Sequence, residues 1–135
     1  MPALAERVRG RLAAVVVVLA AGVGAGGCAE VAEVSGAVVR VQACQDGIAA
    51  ATALAESLPG LRARPAELAK ALDDTAVRLE EAAEQAGDRT LREALEGLAV
   101  SYRDLEAEEP ERAADRAART TAKYLQVITA SCAGQ

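Results

Sequence analysis

An acidic run near the end of the chain has the residue types that could hold a metal ion. Clustered carboxylates are the ligands that calcium takes, and the run contains Glu106, Glu108, Glu109 and Glu111. It lacks the aspartate spacing and the turn glycine of a dedicated calcium loop. Because acidic residues at the start of a helix are already stabilised by the helix dipole, we interpret the run as a helix start and predict no metal site.

A second set of carboxylates, Glu80, Glu81, Glu84 and Asp88, falls on one side of a helical segment. Two carboxyl groups held close together could in principle share the work of a general acid and a general base. A solvated helix face is a far more common reason for such a pattern. We therefore predict no catalytic residues in this set.

The composition excludes several classes of function. The 135 residues include no His, Phe or Trp, and Tyr102 and Tyr124 are the only aromatic residues. Without His, the Ser-His and Cys-His nucleophile pairs and the His-containing metal sites are excluded. The net charge of −5 opposes binding to nucleic acid, which needs clustered Lys and Arg. The two tyrosines could grip a flat ligand, but packing against core residues explains them more simply.

The first 28 residues have the organisation of an export signal. Arg7, Arg9 and Arg11 precede an uncharged run, LAAVVVVLAAGVGAGG, that ends at Cys28. Small residues followed directly by Cys resemble the lipobox of bacterial lipoprotein signal peptides, with Ala25 in place of the usual Leu. The resemblance implies that residues 1–27 are removed and that the sulfur of Cys28 receives a diacylglycerol. Cleavage at another small-residue site and retention of the uncut segment as an anchor stay open.

In each of these alternatives the chain after the signal is exported, because the positive-inside rule keeps the three arginines in the cytoplasm. We expect a protein anchored by its lipid on the outer face of the cell membrane, or a soluble secreted protein if cleavage occurs elsewhere. The composition, rich in Ala, Val, Arg and Glu with few lysines, is similar to that of small exported lipoproteins of actinobacteria.

If Cys28 carries a lipid, Cys44 and Cys132 are left as an even pair in a compartment where disulfides persist. We predict that they are bridged; the alternative is two buried free thiols. A loop of roughly 88 residues closed in this way is expected to stabilise the fold by about 4.5 kcal/mol. A zinc site is a poor alternative because two thiolates supply at most half of its ligands.

The chain after Cys28 predicts helices throughout. Residues 28–36 are expected to be a tether and residues 37–135 a helical domain. The first helix is expected to end at Pro59 and Gly60. Its apolar residues recur at alternating spacings of three and four, which predicts one buried face formed by Val34, Ala37, Val41, Cys44, Ile48, Ala51, Ala55 and Leu58.

Three further helices follow from start and stop signals. Pro65 opens the second helix and Gly87 closes it, Asp88 or a capping box at Thr90 opens the third, and the fourth follows Pro110. Because short connections favour antiparallel neighbours, we predict an all-α, up-down-up-down four-helix bundle with one disulfide. The alternative is a loose, partly molten domain, since large aliphatic residues are few.

The predicted bundle has two ends of different character. The three cysteines fall at one end, and the loops 59–64 and 106–111 fall at the other. The first loop brings Arg62 and Arg64, and the second brings the acidic run. We predict that this charged tip contacts a partner; the alternative is that the opposite charges pair with each other. Helical spacing also predicts the pairs Glu108–Arg112 and Asp115–Arg119.

These observations favour a noncatalytic, membrane-anchored extracytoplasmic protein that acts as an interaction or envelope-associated module. The membrane is its expected partner through the lipid, and the sequence does not identify a protein partner. The alternative is a carrier that holds a small apolar ligand between its helices, which requires a cavity of roughly 300 Å³ or more. An enzyme is least favoured, because only carboxylates or Tyr would be present to act as its catalytic groups. We expect no cofactor.

Overall fold

The computed structural model describes residues 27–134, and it describes side chains from residue 36 onward. Four helices make up nearly all of this part: α1 (Gly27–Leu61), α2 (Pro65–Gln85), α3 (Arg89–Leu105) and α4 (Pro110–Ala133). There is no strand between residues 27 and 134. Residues 1–26 of the predicted signal segment 1–27 lie outside the described residues, and so does the side chain of Cys28. Residues 28–36, expected to be a tether, belong to α1.

The four helices form an antiparallel bundle in which each helix packs against the next in the chain, and α4 returns to pack against α1. Connections of only a few residues force this up-down-up-down order. Cys44 of α1 is bonded to Cys132 of α4, with their Cα atoms 5.8 Å apart. The predicted all-α bundle and its disulfide are confirmed.

Helix caps explain where α2, α3 and α4 begin. Pro65 and Pro110 occupy the first turns of α2 and α4. Backbone N–H groups in the first turn have no partner within the helix, so the missing N–H of proline costs no hydrogen bond there. Asp88 caps α3, because its carboxylate accepts hydrogen bonds from the backbone N–H groups of Thr90 and Leu91. Of the two starts that the sequence offers for α3, Asp88 is therefore the one used.

The core combines large side chains with many alanines. The alanines line facing surfaces of all four helices and let them approach closely. The large buried residues are Leu54, Leu58, Leu68, Leu72, Leu79, Leu91, Leu95, Leu98, Tyr102, Leu105 and Ile128.

The face of α1 that packs into the bundle differs from the predicted one. Ala37 and Val41 were expected to be buried and are exposed. Ala43, Ala50 and Leu54, which lie outside the predicted stripe, are buried. The prediction was wrong for Ala37 and Val41, and the side chain of Val34 lies outside the described residues. The cause is that α1 carries apolar residues on every side. With no polar face to set against an apolar one, packing against the other helices selects the buried side.

α1 also continues beyond its predicted end. Pro59 lies inside the last turn, and the helix ends at Leu61. A proline at this place removes a single backbone hydrogen bond, and burial of Leu58 and packing of Leu61 against the core favour the extra turn. The first connection of the bundle therefore consists of residues 62–64 rather than 59–64.

Two glycines allow close approaches between helices. A Cβ atom at Gly47 of α1 would lie 2.6 Å from Leu95 Cδ2 of α3, across the centre of the bundle. A Cβ atom at Gly97 of α3 would lie 2.8 Å from the hydroxyl oxygen of Tyr124 on α4. Within residues 27–134, no helix has the length and apolar character needed to span a membrane.

Candidate functional site

The end of the bundle opposite the disulfide carries most of the residues that the sequence singles out. We call it the tip: the connection 62–64, the connection 106–109 and the first two turns of α4. Cys44 lies about 26 Å from Leu61 along α1, so the disulfide and the tip are well separated. Arg62 of the first connection forms an ion pair with Asp115 of α4. The two predicted loops are therefore neighbours.

The two arginines of the first connection, Arg62 and Arg64, are engaged with acids outside the acidic run. Arg62 pairs with Asp115, and Arg64 donates a hydrogen bond to Glu67 over 3.1 Å. The predicted pair Asp115–Arg119 is replaced by the pair with Arg62, which approaches from the connection between α1 and α2. Direct neutralisation of the acidic run by these arginines, the alternative considered above, does not occur in the described part of the chain.

Backbone and side-chain hydrogen bonds hold the acidic run in place. The carboxylate of Glu109 caps α4 and accepts from the backbone N–H groups of Glu111 and Arg112, over 3.2 and 3.3 Å. The backbone N–H of Glu106 donates to the carbonyl oxygen of Arg103 over 3.2 Å and closes the end of α3. The connection between α3 and α4 is therefore a short, well-bonded turn.

Glu108 is the one member of the run that faces inward. It pairs with Arg116 rather than with the predicted Arg112. Glu108 precedes the first residue of α4, so the four-residue spacing of a helix does not apply to it. Its Oε2 is buried and has no hydrogen-bond partner within residues 27–134.

Three further acids of the tip face solvent, and so does Arg112, which forms no ion pair with another described residue. Glu106, Glu109 and Glu111 are exposed, and none of them forms an ion pair with another described residue. Among the residues that the structure describes, no three Cys, Asp or Glu side chains come together as metal ligands. The arrangement presents carboxylates to solvent from a fixed backbone, which suits contact with a positively charged surface.

A charged cluster that the sequence does not predict lies between the outer faces of α2 and α3. Arg103 donates hydrogen bonds to both carboxylate oxygens of Glu80, one of them over 3.0 Å, and its Nε lies 3.7 Å from Asp73 Oδ1. These bonds lower the pKa of the Glu80 carboxyl and raise the pKa of Arg103. Glu80 is therefore an ionised bridge between helices and is unsuited to act as a general acid. No local signal could reveal a partner 23 residues away.

The two tyrosines pack where small residues leave room. Tyr102 is fully buried, and its hydroxyl lies 2.5 Å from Thr121 Oγ1 of α4. Burial raises the pKa of Tyr102 to about 12, so the phenol stays neutral and cannot serve as a base at ordinary pH. Tyr124 is partly buried, and its ring lies over Gly97.

The carrier hypothesis predicts a cavity between the helices. The structure describes an apolar groove of about 470 Å³ lined by Val41, Ile48 and Thr52 of α1, with Cys132 of α4 at its side. This groove lies on the outer face of α1 beside the disulfide, so it is part of the surface and is separate from the tip.

A protein-family model described as a domain of unknown function (DUF8711) matches residues 38–133. The matched span includes α2, α3 and α4, both cysteines of the disulfide and all residues of the tip. No curated protein and no solved structure matches the chain.

Proposed function

The chain belongs to the DUF8711 family, and we propose that it acts by contact with a partner rather than by catalysis. In this proposal it is exported, held at the outer face of the cell membrane through a lipid on Cys28, and presents its tip away from that membrane. The charged start, the apolar run and the small residues before Cys28 support export and anchoring. The separation of the tip from the start of α1 supports the direction in which the tip faces.

The observation that carries the proposal is the state of the charges at the tip. Arg62, Arg64 and Arg116 are already engaged by Asp115, Glu67 and Glu108, whereas Glu106, Glu109 and Glu111 are exposed beside one arginine, Arg112, that has no ion pair among the described residues. Charged residues held on a rigid scaffold are a common form of recognition surface, and complementary charge sets the choice of partner. We therefore propose a partner with a basic surface.

The groups with shifted pKa values support a noncatalytic role. Perturbed groups at an active site normally converge on a cleft. Here Tyr102 is sealed in the core by its bond to Thr121, and Glu80 is bound to Arg103 on the outer face of the bundle. Each shift arises from a structural contact of the bundle.

Charge reversal combined with crosslinking in intact cells tests the role of the tip. The variant Glu106→Lys with Glu111→Lys changes two exposed acids of the tip. Glu81→Lys with Glu84→Lys changes two exposed acids of α2 and is the matched control. We expect the tip variant to lose the crosslinked partner that the wild type captures, and the control to keep it. Equal capture by both folded variants would contradict a contact role for the tip.

Anchoring has a separate test. We expect the intact mass of the purified protein to equal that of a chain that begins at Cys28 and carries an added diacylglycerol. The Cys28→Ala variant should no longer be processed at that position or acylated. A mature protein that begins elsewhere, without lipid, would remove the anchoring part of the proposal and leave the tip proposal standing.

A further inference from the structure

The first half of α1 has apolar side chains that no other helix of the bundle covers. Val38, Val39 and Val41 are 59, 42 and 51% exposed. The side chain of Arg40 lies against the connection between α2 and α3, where a Cβ atom at Gly87 would be 2.8 Å from Arg40 Cδ. The part of α1 that precedes Arg40 therefore extends about 20 Å beyond the neighbouring helix ends.

A regular stripe runs along this uncovered side of α1. Its members follow one another at spacings of three, four, three and four residues, which is the spacing of a coiled-coil seam. All of them are exposed or half-buried, and they are Val38, Val41, Gln45, Ile48 and Thr52. We call them the α1 seam. In the sequence, Val31 and Val34 continue the same spacing toward the start of the helix.

Two grooves follow the α1 seam. One has a volume of about 440 Å³ and the other about 470 Å³, and both are lined by Val41 and Gln45. In a coiled coil, side chains of one helix insert into such spaces between side chains of the other. The grooves therefore form one continuous track along the helix.

The composition of this half of α1 also favours a packed helix over an isolated one. Val38, Val39 and Val41 are branched at Cβ, which lowers their helix propensity. An isolated helix of about 12 residues is marginal in water even with better helix formers. Packing along the α1 seam supplies the apolar burial that stabilises such a segment.

The charge distribution favours a second copy of this chain as the occupant. The whole chain carries a net charge of −5. The seam is uncharged, and so are the residues beside its first four members, Ala37, Gln42, Cys44 and Ala49; Glu56 lies beside Thr52 at the far end. Two acidic molecules can thus approach along this side without repulsion between like charges.

We propose that two copies of the chain form a parallel homodimer through the α1 seam. In a parallel, in-register pair each seam residue meets its own counterpart, so the amide of Gln45 lies opposite the same amide and can both donate and accept a hydrogen bond. The dimer leaves the tip free and does not depend on its role. The seam is about 22 Å long, so it buries less than the roughly 800 Å² per partner of a stable soluble complex, and we expect weak, concentration-dependent pairing.

Sedimentation of the purified, naturally processed chain in mild detergent tests the dimer across about 1 to 100 µM. The variant Val41→Glu places two carboxylates face to face in the seam. Val100→Glu makes the same change at a valine of α3 that is 55% exposed and serves as the matched control. We expect Val41→Glu to weaken dimerisation at least tenfold and Val100→Glu to leave it unchanged, with equal helix content in both.

A second variant gives a change in the opposite direction, which loss of folding cannot mimic. Replacing the polar seam residue in Gln45→Leu is expected to strengthen dimerisation at least tenfold, because a polar residue at a seam position lowers coiled-coil stability. A wild type that stays monomeric over the whole range, equal behaviour of Val41→Glu and Val100→Glu, or no strengthening by Gln45→Leu would each overturn the proposal.

Discussion

The helix pairs α2–α3 and α1–α4 contribute to the core in different ways. The buried residues of α2 and α3 include seven leucines and Tyr102 beside five alanines and Thr75. The buried face of α4 consists of alanines and Thr121, with Ile128 as its one fully buried large apolar residue among those described. From residue 36 onward, α1 adds Leu54, Leu58 and Cys44 to its buried alanines. The disulfide joins the pair that has the smaller side chains.

This difference shows how the bundle is stabilised with so few large residues. Full burial of one leucine contributes roughly 1.5 to 3 kcal/mol, whereas an alanine buries much less apolar surface. The leucines of α2 and α3 can therefore hold those helices together by packing. α1 and α4 bury less surface, and the covalent bond between Cys44 and Cys132 limits how far they separate when the chain unfolds.

Removal of the disulfide is expected to have the largest effect. For the variant Cys44→Ala with Cys132→Ala, we expect the free energy of unfolding to fall by about 4.5 kcal/mol, the loop-entropy value for a separation of 88 residues. Denaturant unfolding followed by circular dichroism measures it. A loss below about 1 kcal/mol would mean that packing alone holds α1 and α4.

A cavity made among the leucines of α2 and α3 is expected to have the second largest effect on stability. Leu95→Ala removes a fully buried side chain that lies against Gly47, and we expect a loss of about 2 to 5 kcal/mol. Ala117→Gly on α4 is the control for the small-residue half, with an expected loss of about 1 kcal/mol. Equal losses for the two variants would contradict the difference between the helix pairs.

Loss of the hydrogen bond between Tyr102 of α3 and Thr121 of α4 is expected to have the third largest effect on stability. Tyr102→Phe leaves the buried hydroxyl of Thr121 without its partner, and we expect a loss of about 1 to 3 kcal/mol. The double variant with Thr121→Val should recover part of that loss, because neither polar group then remains unpaired. Denaturation of both variants at neutral pH provides the measurement.

The same tyrosine predicts sensitivity to alkaline pH. Its folded pKa of about 12 lies above the ordinary value of 10.0, so the unfolded chain releases this proton first. The contribution of the neutral, buried Tyr102 to the free energy of unfolding is complete below pH 10 and is lost as the pH rises toward 12. We expect the wild type to lose more stability than Tyr102→Phe across this interval; parallel curves would contradict the burial of the phenol.

The ion pair between α2 and α3 should have the smallest effect. The pKa of Glu80 is lowered by its hydrogen bond from Arg103, so its contribution is present above pH 4.5 and is lost as the pH falls through the folded pKa. Because both groups are partly solvent-exposed, we expect Glu80→Gln to lower the melting temperature only slightly at pH 7. The melting temperature of this variant should also fall less than that of the wild type as the pH becomes acidic. Glu84→Gln, which changes an exposed acid on the same helix, is the control and should change neither.

The features that the sequence predicts are those that depend on local signals. Pro65, Asp88 and Pro110 specify helix starts through their own backbone and side-chain chemistry, so the boundaries of α2, α3 and α4 were predictable. The pairing of Cys44 with Cys132 followed once Cys28 was assigned to the lipid. The neighbouring positions of the tip loops followed from antiparallel order alone.

The features that the sequence does not predict depend on how each helix is rotated about its axis. α1 carries apolar residues on every side and has no separate polar face, so its buried face is chosen by the other helices. The partners of Arg62 and Arg103 lie on other helices, at Asp115 and Glu80, and local spacing contains no information about them. The charge left on the tip therefore emerges only from the folded chain.

Amide hydrogen exchange, followed helix by helix before and after reduction of the disulfide, tests the central claim most directly. Under native conditions we expect reduction to speed exchange in α1 and α4 while α2 and α3 keep most of their protection. Uniform acceleration in all four helices, or earlier loss of protection in α2 and α3, would contradict the account in which the disulfide compensates for the small side chains of α1 and α4.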